Sequence, residues 1–174
     1  MYTVGHSHQE PEAFLALLRQ HRIATLIDVR SAPFSRYVPH FNQPVLQGWL
    51  DRAGVRYVWL GDSLGGRPQD PACYRGGVVR PGNVDYVAMA CQPWYQAGIV
   101  RLLAEGERSV AAIMCSEEDP RRCHRHRLIE PSLREHGVIV QHIRGDGTLE
   151  TIDPGETPAV SAPSPQLALR GFGA

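Results

Sequence analysis

Five short apolar runs, each about one strand long, alternate with stretches of helical periodicity, and this alternation restricts the fold more than any other feature. The runs are Tyr2–Gly5, Ala24–Val29, Val55–Leu60, Val110–Met114 and Val138–Ile143. Each is rich in β-branched or large apolar residues, and none is long enough for a helix. Between them lie amphipathic stretches: Pro11 to His21 with Phe14, Leu15, Leu17 and Leu18, then Gln43 to Ala53 with Val45, Leu46, Trp49 and Leu50. Asn83 to Leu103, with a break expected near Pro93, and Pro120 to His136, with a kink expected at Pro131, complete the set. Strands that alternate with helices build a mostly parallel sheet covered on both faces. The expectation is therefore an α/β fold: a single three-layer domain with a central sheet of about five strands flanked by helices. A turn at Arg144–Leu149 and a short returning strand to Ile152 close it.

At 174 residues the chain suits one such domain, placed at residues 1–152. Residues 153–174 are dominated by Pro, Ala, Ser and Gly and are expected to be disordered. Within that tail, Gln166-Leu167-Ala168-Leu169-Arg170-Gly171-Phe172 resembles the short peptides by which bacterial DNA-processing proteins dock on the DNA sliding clamp. Gly171 stands where such peptides often carry another apolar residue, and packing back on the domain or chance similarity are the competing readings.

Formal net charge is zero, so global charge singles out neither a nucleic acid nor a membrane as partner. Every basic side chain is arginine. The lack of lysine excludes lysine Schiff-base chemistry and a P-loop lysine, and leaves planar forks suited to carboxylate or phosphate. No run approaches bilayer length and no signal-like segment precedes Gly5, so a cytoplasmic location is expected. In that compartment Cys73, Cys91, Cys115 and Cys123 are expected as thiols or ligands rather than disulfides.

Ligands of parallel sheets sit beyond the carboxyl ends of the strands, and the reactive residues of this chain collect there. His6 and Ser7 follow the first strand, Asp28 and Arg30 end the second, and Cys115 and Glu117 end the fourth. Cys123, His124 and Arg125 open the helix that follows. These residues are expected to converge on one site. Cys115, Glu117 and His6 are the candidate catalytic residues, Cys115 as nucleophile and Glu117 or His6 as general acid or base. Arg30 and Arg125 are candidates to hold an anion, with Arg30 also expected to be paired with Asp28 or Glu117. The Cys115-x5-Arg121 spacing fits that of cysteine phosphatases, but Glu117, Glu118 and Asp119 inside the loop would repel phosphate and disfavour a thiolate. Zinc ligation by Cys115, Cys123 and His124, with His6 as a distant fourth, is a further reading. Because adjacent Cys123 and His124 are not expected to reach one ion together, no metal ligand is assigned. A packing role for a small buried Cys115 is the plain alternative. Arg36, Tyr37, His40 and Phe41 interleave basic and aromatic groups in a loop, a pattern that binds single-stranded nucleic acid or that folds back on the core.

Val4-Gly5-His6-Ser7, Leu26-Ile27-Asp28-Val29-Arg30 with Pro33 and Ser35, Leu64-Gly65-Gly66, Met114-Cys115-Ser116-Glu117 with Asp119-Pro120, and Cys123-His124-Arg125 together resemble domain of unknown function 488 over about residues 1–150. The resemblance implies a compact α/β domain of bacterial and archaeal type and no established activity. His126, Arg127 and the tail fall outside its pattern. With the turn Gly5-His6-Ser7 opposite Arg30, the candidate ligand-binding positions are Gly5, Ser7, Asp28, Arg30, Ser35, Cys123, His124 and Arg125. The functional expectation is an anion- or nucleotide-binding active site at the strand edge, acting on a nucleotide or nucleic-acid-derived substrate. A non-catalytic nucleic-acid- or ligand-binding module and a metal-dependent hydrolase-like site are the alternatives. No cofactor is assigned.

Overall fold

The computed structural model describes residues 1–153; the tail and its clamp-like peptide lie outside the described residues. Six strands form one sheet in the order β3-β2-β4-β1-β5-β6. They are β1 (Tyr2–Gly5), β2 (Thr25–Asp28), β3 (Arg56–Trp59), β4 (Ala111–Cys115), β5 (Gln141–Ile143) and β6 (Leu149–Glu150). All pairings are parallel except that of β6, which returns antiparallel on β5 as the turn residues after Ile143 suggest. This is the three-layer α/β domain that the alternating pattern predicts, with a two-residue sixth strand.

Side chains alternate across the two faces of the sheet, so the strands feed two separate cores. Val4, Leu26, Ala112 and Met114 pack with Phe14, Leu18, Phe41, Leu46 and Leu50. These come from α1 (Pro11–Gln20), α2 (Gln43–Arg52) and the turn before α2. Ile27, Ala111 and Ile113 face the other way, against Leu64, Met89, Ile99, Leu102, Leu128 and Leu133. That layer holds α3 (Gly61–Leu64), α4 (Tyr86–Ala90), α5 (Pro93–Arg108) and α6 (Glu130–Glu135). Strands β2 and β4 are buried along their whole length. Their unbroken apolar runs, unlike the alternating pattern of a half-exposed strand, reflect this.

Two details of the helices differ from the sequence expectation. The helix after Pro93 runs five residues beyond Leu103, to Arg108. The stretch after Pro120 is not one kinked helix. Pro120–Arg122 forms a single tight turn, and Cys123 is extended at φ −115°, ψ 146°. Arg125–Ile129 then makes one wide turn before α6 begins at Glu130. Pro131 has no N–H to give to the preceding turn, and its ring crowds the carbonyl four residues back. The backbone meets that constraint by widening the turn ahead of the proline, so the expected kink at Pro131 is replaced by a break at Cys123 and a wide turn. As a consequence, Cys123, His124 and Arg125 lie in a non-regular segment directly beneath the end of β4.

Candidate functional site

The carboxyl ends of the three central strands carry a buried polar cluster whose centre is Arg30. Arg30 is 5% exposed, and its partner Asp28 is fully buried. The guanidinium grips the carboxylate in a fork, Nε at 2.9 Å from Oδ1 and NH2 at 2.6 Å from Oδ2. Asp28 also accepts the Arg30 backbone N–H and the Tyr57 hydroxyl. The second hydrogen of Arg30 NH2 goes to the Phe41 carbonyl at 2.8 Å. Thus Asp28, rather than Glu117, pairs the buried arginine, and Nε, NH1 and NH2 each meet an internal acceptor.

Arg30 NH1 lies 3.2 Å from His6 Nε2. An arginine only donates, so Nε2 must accept and the ring proton sits on Nδ1. Nδ1 in turn donates to the Ser7 carbonyl at 2.9 Å. The ring is stacked on Phe41 with centroids 4.2 Å apart. Burial first, and the Arg30 charge second, push the His6 pKa down to about 3. His6 is therefore a neutral imidazole with both nitrogens engaged.

On the other side of Val29, three ligand-type atoms face one another. His124 Nδ1 lies 3.8 Å from Cys115 Sγ and 3.8 Å from Cys123 Sγ. The three groups are buried, and their donor atoms all fall within 4.8 Å of one another. The expectation that adjacent Cys123 and His124 would not reach a common point is overturned. Cys123 is extended, which lets successive side chains turn to the same place. Arg125 is fully buried beneath this group. Its Nε and backbone N–H approach Cys123 Sγ at 3.3 and 3.5 Å, NH1 donates to Thr3 Oγ1 at 3.1 Å, and NH2 donates to the Glu117 carbonyl. The Cys123 hydrogen bond and burial raise the Cys115 thiol pKa well above normal. Burial disfavours a Cys123 thiolate, but the Cys115 hydrogen bond, His124 and Arg125 outweigh it and depress that thiol. The two sulfurs thus differ in direction: Cys115 is shifted towards the thiol and Cys123 towards the thiolate.

Glycines set the closeness of these layers. A Cβ on Gly5 would stand 1.9 Å from the Glu117 carbonyl oxygen, and one on Gly66 would stand 2.7 Å from the His124 ring. Only a bare backbone lets the loop after β4 cross β1 here and lets the Leu64-Gly65-Gly66 segment back the imidazole.

The remaining candidate residues play other parts. The Glu117 side chain is exposed, and it is the backbone carbonyl that meets Arg125. Ser7 has a left-handed backbone, φ 46°, and its N–H bonds to the Ser116 carbonyl. Ser35 Oγ accepts the N–H groups of Tyr37 and Val38 and so shapes its own loop. All four cysteines are free thiols. The structure adds residues that sequence reasoning passed over: Thr3, Tyr57, and a buried triad in which His126 Nδ1 and His142 Nε2 lie 2.6 and 3.0 Å from Glu130 Oε2. His142 Nδ1 bonds Thr3 Oγ1 at 2.7 Å, so this triad connects to Arg125 through Thr3. A histidine inside an apolar strand was the one available signal for it. A cleft of about 670 Å³ opens at the opposite edge, lined by Met1, Tyr2, Leu103, Gly106 and Val138 among others, and holds none of the candidate residues.

The fold and this cluster define a doubly covered α/β domain with its polar chemistry at the strand carboxyl edge. A family model described as "Domain of unknown function DUF488" matches residues 10–131, well over half of the chain, and the chain belongs to that family. The match begins after Val4-Gly5-His6-Ser7, so it covers less of the chain than the sequence motifs suggest. Neither the curated proteins nor the solved structures contain a significant match. Among the described residues no helix is long and apolar enough to cross a membrane.

Proposed function

We propose that this domain binds single-stranded nucleic acid across the loop that follows β2, at the strand carboxyl edge. The observation that carries the reading is the presentation of two aromatic rings to solvent on a braced loop. Phe34 and Tyr37 are each 73% exposed. The Arg36 guanidinium sits 4.9 Å from the centre of the Tyr37 ring, and its NH2 bonds the Tyr37 hydroxyl.

Exposed aromatics on a slack loop would fold onto the core, but this loop is tied at several points. Arg30 holds the Phe41 carbonyl, Asn42 Oδ1 takes the Ser35 N–H, and the Gln43 N–H bonds the Pro33 carbonyl. The rings are therefore held out where bases can stack on them, with Arg36 beside them for a phosphate. Arg67 is exposed and adjoins the same loop through its N–H to Ser31 Oγ. Arg30 and Arg125, expected to clamp the anion, are spent on internal acceptors. The phosphate contacts of this reading come instead from Arg36 and Arg67. Two phosphates on a single strand give a shallow salt dependence, a log–log slope of about −1.4.

Fluorescence anisotropy of a labelled oligonucleotide tests the reading. Stacking contributes about 1–3 kcal/mol per base, so Phe34→Ala and Tyr37→Ala should each weaken binding by roughly 5- to 150-fold. Retained affinity in the double variant, or no binding by the unaltered protein at low salt, refutes it.

A further inference from the structure

We propose that Cys115, Cys123 and His124 form a metal site for a single tetrahedral divalent ion of the zinc type. This inference stands independently of the nucleic-acid reading. It rests on three observations beyond the proximity of the groups.

The first is the separation of the donors. Zinc–sulfur bonds of about 2.3 Å and zinc–nitrogen bonds of about 2.05 Å at tetrahedral angles put sulfur and nitrogen roughly 3.6 Å apart. Both Sγ–Nδ1 distances are 3.8 Å, so closing on an ion asks for shifts of a few tenths of an ångström. Two hydrogen-bonded thiols with an imidazole elsewhere would not need both sulfurs equidistant from one ring nitrogen.

The second is the direction of the imidazole. His124 Nε2 lies 3.2 Å from the Val29 carbonyl, which can only accept. The Nε2 proton is therefore fixed, and the Nδ1 lone pair faces the two sulfurs. A ligating histidine commonly has its other nitrogen tied to a carbonyl or carboxylate in this manner. Gly66 adjoins the ring, and a Cβ there would stand 2.7 Å from it.

The third is a donor fixed on one sulfur: the Arg125 guanidinium donates to Cys123 Sγ, as a hydrogen bond to a metal-bound thiolate would require. Arg125 is itself held by Thr3 Oγ1 and the Glu117 carbonyl. It cannot swing away to solvent and is already set in place to support a thiolate. Binding an ion displaces to solvent whatever protons the two ligating thiols carry. Thiolate and imidazole donors together favour zinc over calcium, magnesium or manganese.

Among the described residues this cluster supplies three protein ligands and no fourth His, Cys, Asp or Glu. Structural zinc sites generally use four ligands, whereas three leave a position for water or for an incoming group. The small exposure of the site falls on Cys115 and His124, 8% each.

The test is metal analysis of the full-length protein, followed by replacement with cobalt(II). One equivalent of zinc per chain and a cobalt spectrum with sulfur-to-metal charge transfer and intense tetrahedral d–d bands are expected. Cys115→Ser and His124→Gln should each weaken zinc binding by more than about 100-fold, while Cys91→Ser, at an exposed thiol, should not change it. Should those variants fold poorly, zinc added to the unaltered protein should still protect Cys115 and Cys123, but not Cys91, from alkylation. Substoichiometric metal with unprotected thiols overturns the proposal. So does a cobalt spectrum without sulfur charge transfer, which would place the ion at His126, Glu130 and His142.

Discussion

Replacing Arg30 by methionine tests whether the strand edge is held together by a buried ion pair. Methionine keeps most of the length of the aliphatic stem and removes the fork. Asp28, fully buried, would then retain only the residue 30 N–H and the Tyr57 hydroxyl. It would lose the Nε and NH2 donors at 2.9 and 2.6 Å. The Phe41 carbonyl and His6 Nε2 would lose the same partner. Stranding one charge of a buried pair costs about 3–5 kcal/mol, several times a neutral hydrogen bond. In a domain of this size that corresponds to a melting temperature lower by about 6–20 °C. Equilibrium urea unfolding followed by far-ultraviolet circular dichroism gives the free energy directly. The companion Asp28→Asn, Arg30→Met variant removes both charges. It should be more stable than the sum of the single losses allows, by about 2 kcal/mol or more of coupling. A single variant within about 1 kcal/mol of the parent, or strictly additive losses, refutes the reasoning.

Two further outcomes follow from the same geometry. Burial would raise the Glu130 pKa, but the His126 and His142 hydrogen bonds hold it at about 2 against an ordinary 4.5, with Arg134 adding a 2.5 Å contact. Its folded value is the lower one, so its contribution to stability is present above about pH 4.5 and is lost as pH falls towards 2. Acid unfolding of Glu130→Gln should lack that part of the pH dependence, and an unchanged profile between those limits would contradict it. Gly5→Ala forces a Cβ against the Glu117 backbone, which cannot yield without moving the loop after β4. A loss of about 1–3 kcal/mol is expected in the same urea assay, and unchanged stability would show that the loop is not packed on Gly5.

The strands were readable because their apolar runs are short, β-branched and bounded by turn residues, and the strand ends then gathered His6, Arg30 and Cys115 on one edge. Spacing could not show what the residues do there. Arg30 reads both as an anion binder and as the partner of Asp28 or Glu117, and it is Asp28, two residues earlier, that takes the fork. The convergence of Cys123 and His124 depends on one extended residue between two turns, a backbone detail that propensity does not resolve. Glu117 was assigned chemistry through its side chain, whereas the loop conformation points its carbonyl inwards and its carboxylate out. Glu130 and His142 come together only through the α6–β5 connection, and nothing in their 12-residue separation marks them as partners.

The sheet order has a consequence for how the chain is made. β1 lies between β4 and β5, and its hydrogen-bonding partners are residues 111–115 and 141–143. At synthesis rates of about 5–20 residues per second, roughly 5–20 s separate the emergence of β1 from that of β4. During that interval Tyr2–Gly5 has neither of its strand partners, and β2 has β3 alone to pair with. The centre of the sheet, and with it the thiols, the imidazole and the buried arginines, assembles only after β4 and the segment that follows it have left the ribosome. A nascent chain that stops before Ala111 carries β1, β2 and β3 but lacks β4, the strand that joins β1 to β2.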